Sequence, residues 1–256
     1  MKKTALIVLA LSLAAATIAQ AQAPSTSDLN KRLIQSRAVE AVIWGMPAVN
    51  YDLMLQEMLS KIDGKVGQVI YWGRPLDWHN QTLTPNPDAL YFMVFFDTKN
   101  GPVVLDLPPG DKDGSFNGNI VTVWQMPLED AGLLGADKGK GGKYLILPPG
   151  YADKAPDGYV ALQSDTFGGY MLFRSNLASH NPDDVAKSIA YGKRLKVYPL
   201  SQAAAPPPTV FTQGHQLRYD DPLRCELFRT PRPYRAERTM AAARSGNDRS
   251  AQVARH

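Results

Sequence analysis

The sequence predicts a mainly β fold with N-terminal helices, an α+β arrangement whose β part is a jelly roll or sandwich. Apolar residues recur at helical spacing over residues 27–62, then from residue 71 give way to short runs typical of strands. Gly, Asn and Pro turns separate those runs, including the pairs Pro108-Pro109 and Pro148-Pro149. The chain has 256 residues, 44% hydrophobic and 20% charged, enough for a sizeable core.

Residues 1–21 read as a secretory signal. Lys2 and Lys3 supply the positive start, residues 5–18 an apolar run, and Ala19-Gln20-Ala21 a cleavage pattern that leaves Gln22 as the mature N-terminus. The run is too short and Ala-rich for a stable membrane span, so no stable membrane insertion is expected. The expected location is the bacterial periplasm or the exterior. The only cysteine is Cys225, which rules out a disulfide framework.

Residues 27–66 form the helical segment. Ser27 is the expected cap, followed by a rough stripe of Leu29, Leu33, Ala38, Val42 and Ile43. Gly45-Met46-Pro47 is expected to break the run, since proline lacks the amide a helix needs. A second helix then carries Tyr51, Leu53, Met54, Leu55, Met58 and Leu59, read as core packing.

Residues 67–212 form the β-rich domain. Strands are expected at 89–96, 102–107, 120–126, 144–147, 159–162, 169–175 and 193–200. One helix interrupts them. Asn181 is its expected cap, Pro182 suits the first position, Asp183 and Asp184 complement the dipole, and Gly192 ends it.

The charge is unevenly placed. Residues 1–210 hold 14 Lys and 5 Arg against 19 acids, whereas residues 211–256 hold 9 Arg and no Lys against 5. A neutral body gives no electrostatic reason to expect nucleic acid as a partner.

The common catalytic and metal motifs are missing. "GADKGKGGKY" (residues 135–144) lacks phosphate-loop spacing and reads as a flexible, Lys-rich surface loop. His79, His180, His215 and His256 are far apart, and no motif calls for a metal or cofactor. No G-x-S-x-G elbow is present. Glu129 and Asp130 are expected in a loop after a strand.

The candidate site lies around "NQTLTPNPDALYFMVFFDT" (residues 80–98). Trp78, His79, Asn86, Asp88 and Tyr91 combine aromatic walls with imidazole, amide and carboxylate groups. Such a mix suits a pocket in which a few polar groups orient a mostly apolar ligand. Trp124 and Gln125 add a similar pair at a strand end. Asn86-Pro87-Asp88 is equally well accounted for as a local turn.

The run "YWGRPLDWHNQTLTPNPDALYFMVFFDTKNGPVVLDLPPG", with "IWGMPAVNYDLML", "GKGGKYLILPPGY" and "AYGKRLKVYPLSQA", resembles an uncharacterised bacterial family. Its members carry domain of unknown function 1254 followed by domain of unknown function 1214. The resemblance covers about residues 35–212. It implies a mostly β, jelly-roll-like and often secreted protein with no agreed activity, and supplies no catalytic residues.

The resemblance ends near Thr212, where the Arg-rich, Lys-free stretch begins. Residues 213–256 are expected to be a disordered tail and a frameshift product, with most of the second module missing. Back-translated and read one base later, residues 213–241 allow KATNFVTMTPYDVSFFALLDRIVQSEPW. That peptide has the apolar spacing of a packed helix and resembles the start of the second module.

Three readings of function stand at this level. The first is an exported protein that binds a small apolar or lipid-like molecule, with self-association open. The second is a structural or assembly module of the cell envelope. The third is a hydrolase-type enzyme.

Overall fold

The computed structural model describes residues 24–77 and 86–217. The signal segment, Trp78, His79 and the tail beyond residue 217 lie outside the described residues, whereas the start of the stretch expected to be disordered is ordered, since Gln213 ends a strand paired with Tyr71 and Leu217 is buried. The chain divides into two units, Met1–Met46 and Pro47–His256.

Helix α1 (Thr26–Lys61) is one continuous helix with Pro47 inside it, not the two helices expected from Gly45-Met46-Pro47. A proline removes one backbone donor, and that loss is offset when the following turns are anchored. Here Tyr51, Met54 and Met58, all beyond Pro47, are buried. The cap is Ser25 rather than Ser27: Ser25 Oγ accepts the Asp28 amide at 3.1 Å and donates to its carboxylate at 2.7 Å. The expected stripe is not core. Leu29, Leu33, Val42 and Ile43 are exposed.

Among the described residues of the second unit, ten strands form two sheets. They are β1 (Val69–Tyr71), β2 (Ala89–Asp97), β3 (Val103–Leu107), β4 (Phe116–Thr122), β5 (Pro127–Gly132), β6 (Gly142–Leu147), β7 (Tyr159–Gln163), β8 (Gly168–Asn176), β9 (Lys196–Pro199) and β10 (Phe211–Gln213). One sheet has the order β10-β1-β2-β8-β4-β5 and the other β7-β6-β3-β9. Helix α2 (Pro182–Gly192) lies between β8 and β9 in the chain.

The expected 120–126 strand is instead β4, a turn, and β5. Glu129 and Asp130 therefore sit in a strand, because β5 pairs antiparallel with β4. Helix α2 begins at Pro182 as expected, but Asn181 makes no side-chain cap bond. Ser179 acts there instead: its hydroxyl donates to Asp184 at 2.6 Å and accepts the Asn181 amide at 3.2 Å.

The core follows from strand alternation. Phe92, Val94, Phe116, Ile120, Met171 and Phe173 of the larger sheet share one buried cluster with Leu105, Tyr144, Ile146, Leu162 and Val197 of the smaller. Two sheets joined by one apolar layer make a sandwich-like body. The alternate residues of the larger sheet, Tyr91, Met93 and Phe95, form a second cluster with Tyr51, Met54 and Met58 of α1. Nearly every residue of β2 is buried because both its faces are covered.

Candidate functional site

Three strands place the polar groups of the outer face side by side. In register, Tyr91 on β2 pairs with Arg174 on β8, and Arg174 with Asn117 on β4. The strand sequence "GGYMLFRSN" alternates, so Tyr170, Leu172, Arg174 and Asn176 share one face while Met171, Phe173 and Ser175 point to the core.

Beside this polar end lies an open cleft of about 580 Å³. Asn117 pairs with Gly132, the last residue of β5, so Phe116 at the start of β4 has no β5 partner. Residues of both sheet faces therefore line the gap. Phe116, Tyr191, Leu133 and Leu134 give it apolar walls; Asn117, Asn119, Asn176, Lys138 and Arg174 give it polar ones. Asp130 and Asp137 also line it. Both carboxylates are already engaged. Asp130 accepts the Asn119 amide at 2.6 Å. Asp137 accepts the amides of Gly132 at 2.7 Å and Gly141 at 3.1 Å, and the Tyr144 hydroxyl at 2.8 Å.

Asp137 thus organises the Lys-rich loop of residues 135–144, expected from sequence to be flexible. Burial and the neighbouring Asp137 carboxylate push the Tyr144 phenol above its ordinary value, so it stays a donor. Burial likewise pushes the Tyr191 phenol up, to about 12. The Tyr191 hydroxyl donates to the Pro108 carbonyl at 3.2 Å, which holds the ring at the inner wall of the cleft.

The residues singled out in the sequence are distributed unevenly. Asn86 and Asp88 form a local turn: Asn86 Oδ1 accepts the Asp88 amide at 2.8 Å. The Asp88 carboxylate is exposed and lies 3.3 Å from His180 Nε2. Tyr91 is buried, and its hydroxyl accepts the Asn86 amide at 3.2 Å and Arg174 Nε–H at 3.3 Å. None of these three lines the cleft, but Arg174, stacked 5.5 Å from the Tyr91 ring centre, does.

Trp124 and Gln125 lie at the other end of β4, roughly 20 Å from Asn117 at the usual strand rise. Gln125 has φ 58° and donates its side-chain amide to the Pro47 carbonyl at 3.1 Å. Trp124 is half-buried in the same turn.

Arg174 was missed by sequence reasoning. Its signal was present: a lone cation at an alternating apolar position of "GGYMLFRSN". Among the described residues, no group of three or more His, Cys, Asp or Glu is placed to hold a metal. No helix among them is long and apolar enough to cross a membrane.

Comparison with known proteins adds the family. No curated protein matches the chain. The VPA0106 protein of Vibrio parahaemolyticus, known as a crystal structure, is similar with a TM-score of 0.51 at 14% identity, over 66% of this chain and 39% of that one. An uncharacterised protein of Burkholderia cenocepacia gives a TM-score of 0.32 at 15% identity, over 64% of this chain and 43% of that one. The chain thus spans about two fifths of the length of the solved structures it matches. At such identities the first similarity shows the fold alone. Residues 66–199 match the family described as protein of unknown function (DUF1254). That match spans just over half of the sequence, and the chain belongs to this family.

Proposed function

We propose that this protein binds a small, partly apolar molecule in the cleft at the β4–β5 edge. The observation that carries this reading is the cleft itself. Its volume of about 580 Å³ is in the range of small-molecule sites, and Phe116, Tyr191, Leu133 and Leu134 offer an apolar wall facing a few polar groups. The test is a titration of the full chain with 1-decanol, followed by the NMR signals of Phe116 and Leu134. Saturable shifts at those two residues are expected. Their absence over the soluble range of the alcohol would remove the binding reading.

A second reading is favoured by a different observation. Leu29, Leu33, Ile34, Val39, Val42, Ile43, Trp44 and Met46 of α1 are exposed. A module that assembles with other envelope proteins, or with copies of itself, would present such residues. Sedimentation across a hundredfold concentration range distinguishes a self-associating chain from a monomer.

The export signal and the frameshift belong to the same proposal. Lys2, Lys3 and Ala19-Gln20-Ala21 support secretion, and an intact mass beginning at Gln22 in periplasmic extract is the expected result. The switch from Lys-containing to Lys-free sequence at residue 211 supports a frame change that replaces a second, DUF1214-type module. Resequencing the gene around the Thr212 codon decides it.

A further inference from the structure

We propose that Arg174 makes the cleft selective for amphipathic monocarboxylates, with the guanidinium docking the carboxylate and Phe116, Tyr191, Leu133 and Leu134 taking the alkyl chain. This assignment rests on the binding reading above and names the ligand class of that site.

Arg174 is half-buried at the cleft wall. Its Nε–H is occupied by the Tyr91 hydroxyl at 3.3 Å, and its planar head lies 5.5 Å from the Tyr91 ring centre. Those two contacts fix the direction of the head. The terminal amino groups make no further hydrogen bond or ion pair among the described residues. A half-buried guanidinium without a carboxylate partner is costly, because its charge is desolvated without compensation. Held this way, it presents a rigid two-point donor face, the geometry that a carboxylate matches.

The charge balance of the walls selects a monoanion. Arg174 and Lys138 are set against Asp130 and Asp137, so the lining is formally neutral. Both acids have their own donors and stay where they are. A monoanion would bring this neutral lining to a single net negative charge, whereas a dianion such as a phosphate monoester would bring it to two, with Lys138 an exposed second cation on the loop side. Asn117, next to Arg174 in register and exposed, offers the carboxylate a further amide donor.

The experiment compares four ten-carbon probes on the full chain by calorimetry and NMR: decanoate, 1-decanol, decylamine and decyl phosphate. Decanoate is expected to bind at least about tenfold more tightly than the alcohol, since charge-assisted fork contacts outweigh neutral ones. Arg174→Gln is expected to abolish that preference while the alcohol still shifts Phe116 and Leu134. Arg174→Lys, which keeps the charge but not the fork, is expected to lose most of it, and it decides the matter if the glutamine variant does not fold. Equal binding of decanoate and 1-decanol overturns the assignment of Arg174 and leaves the cleft as an apolar site. Preference for decyl phosphate overturns the carboxylate class. Binding of none of the four removes both this inference and the reading it rests on.

Discussion

The Tyr144 hydroxyl donates to Asp137 Oδ1 at 2.8 Å, and that carboxylate also gathers the backbone amides of Gly132 and Gly141. One side chain therefore closes the loop between β5 and β6 and sets one wall of the cleft. Asp137→Ala is expected to leave three donors without this acceptor and to cost about 2–4 kcal/mol, given that hydrogen bonds to charged groups contribute about 1.5–3 kcal/mol and are not additive. Tyr144→Phe, which spares the Gly132 and Gly141 amides but removes the acceptor of the Asp137 amide, is expected to cost about 1–2 kcal/mol. Urea denaturation of the two variants measures both. An Asp137→Ala midpoint equal to that of the parent would contradict this account.

Gly118 sits mid-strand in β4 under close contact. A methyl group there would lie 2.2 Å from the Leu172 carbonyl oxygen and 2.6 Å from the Phe173 ring. Backbone cannot yield cheaply, so Gly118→Ala is expected to destabilise by at least about 1–3 kcal/mol, the usual cost of overpacking. Thermal unfolding should show a clear drop, and a melting temperature within a degree of the parent's would count against the strand register.

Gln125 has a structural contact where the sequence suggested a ligand group. Its amide bonds the Pro47 carbonyl from a left-handed turn position. Gln125→Ala is expected to cost about 1 kcal/mol in stability, the net worth of one hydrogen bond, and to leave decanoate binding unchanged. Weakened binding with unchanged stability would restore Gln125 to the site.

The Arg194 guanidinium, bonded to the side chain of Asp111, holds that carboxyl below its ordinary value of 3.8. A folded-state value below the unfolded one gives stability that is present above the unfolded value and is lost as pH falls through the folded one. The melting advantage of the parent over Asp111→Asn should therefore be constant above about pH 5 and shrink below about pH 4. The group is exposed, so the advantage is small. An advantage that grows on acidification would reverse the sign and refute the pairing.

Much of the fold was legible because strand alternation and turn residues act locally. The strands at 89–96 and 169–175 and the helix from Pro182 to Gly192 follow from pattern and punctuation alone. The failures have a tertiary cause. Pro47 did not break α1, since Tyr51, Met54 and Met58 beyond it are anchored in a buried cluster. Strands β1 and β10 are three residues each, too short to show a period, and exist by virtue of their partners. The candidate site was legible in part. Tyr91 was marked by its motif, but the cleft-lining group is its partner Arg174, a residue 83 positions away that only strand pairing brings near.

The parallel pairing of β1 with β10 has a kinetic side. Val69 aligns with Phe211, and Gln213 donates its side-chain amide to the Tyr71 hydroxyl across a separation of 142 residues. Loop closure of that length is entropically slow, and little is gained until almost all of the domain has left the ribosome. Until then β1 presents a bare strand edge on the side that β10 will occupy, open to pairing with a neighbouring chain. The antiparallel pairings of β2 with β8 and of β8 with β4 need no residue beyond Asn176, so the edge furthest from the cleft is the last part to be sealed. A nascent chain held back before Gln213 should thus carry a formed cleft and an unfinished sheet. That order leaves a window in which the chain is partly ordered yet not committed.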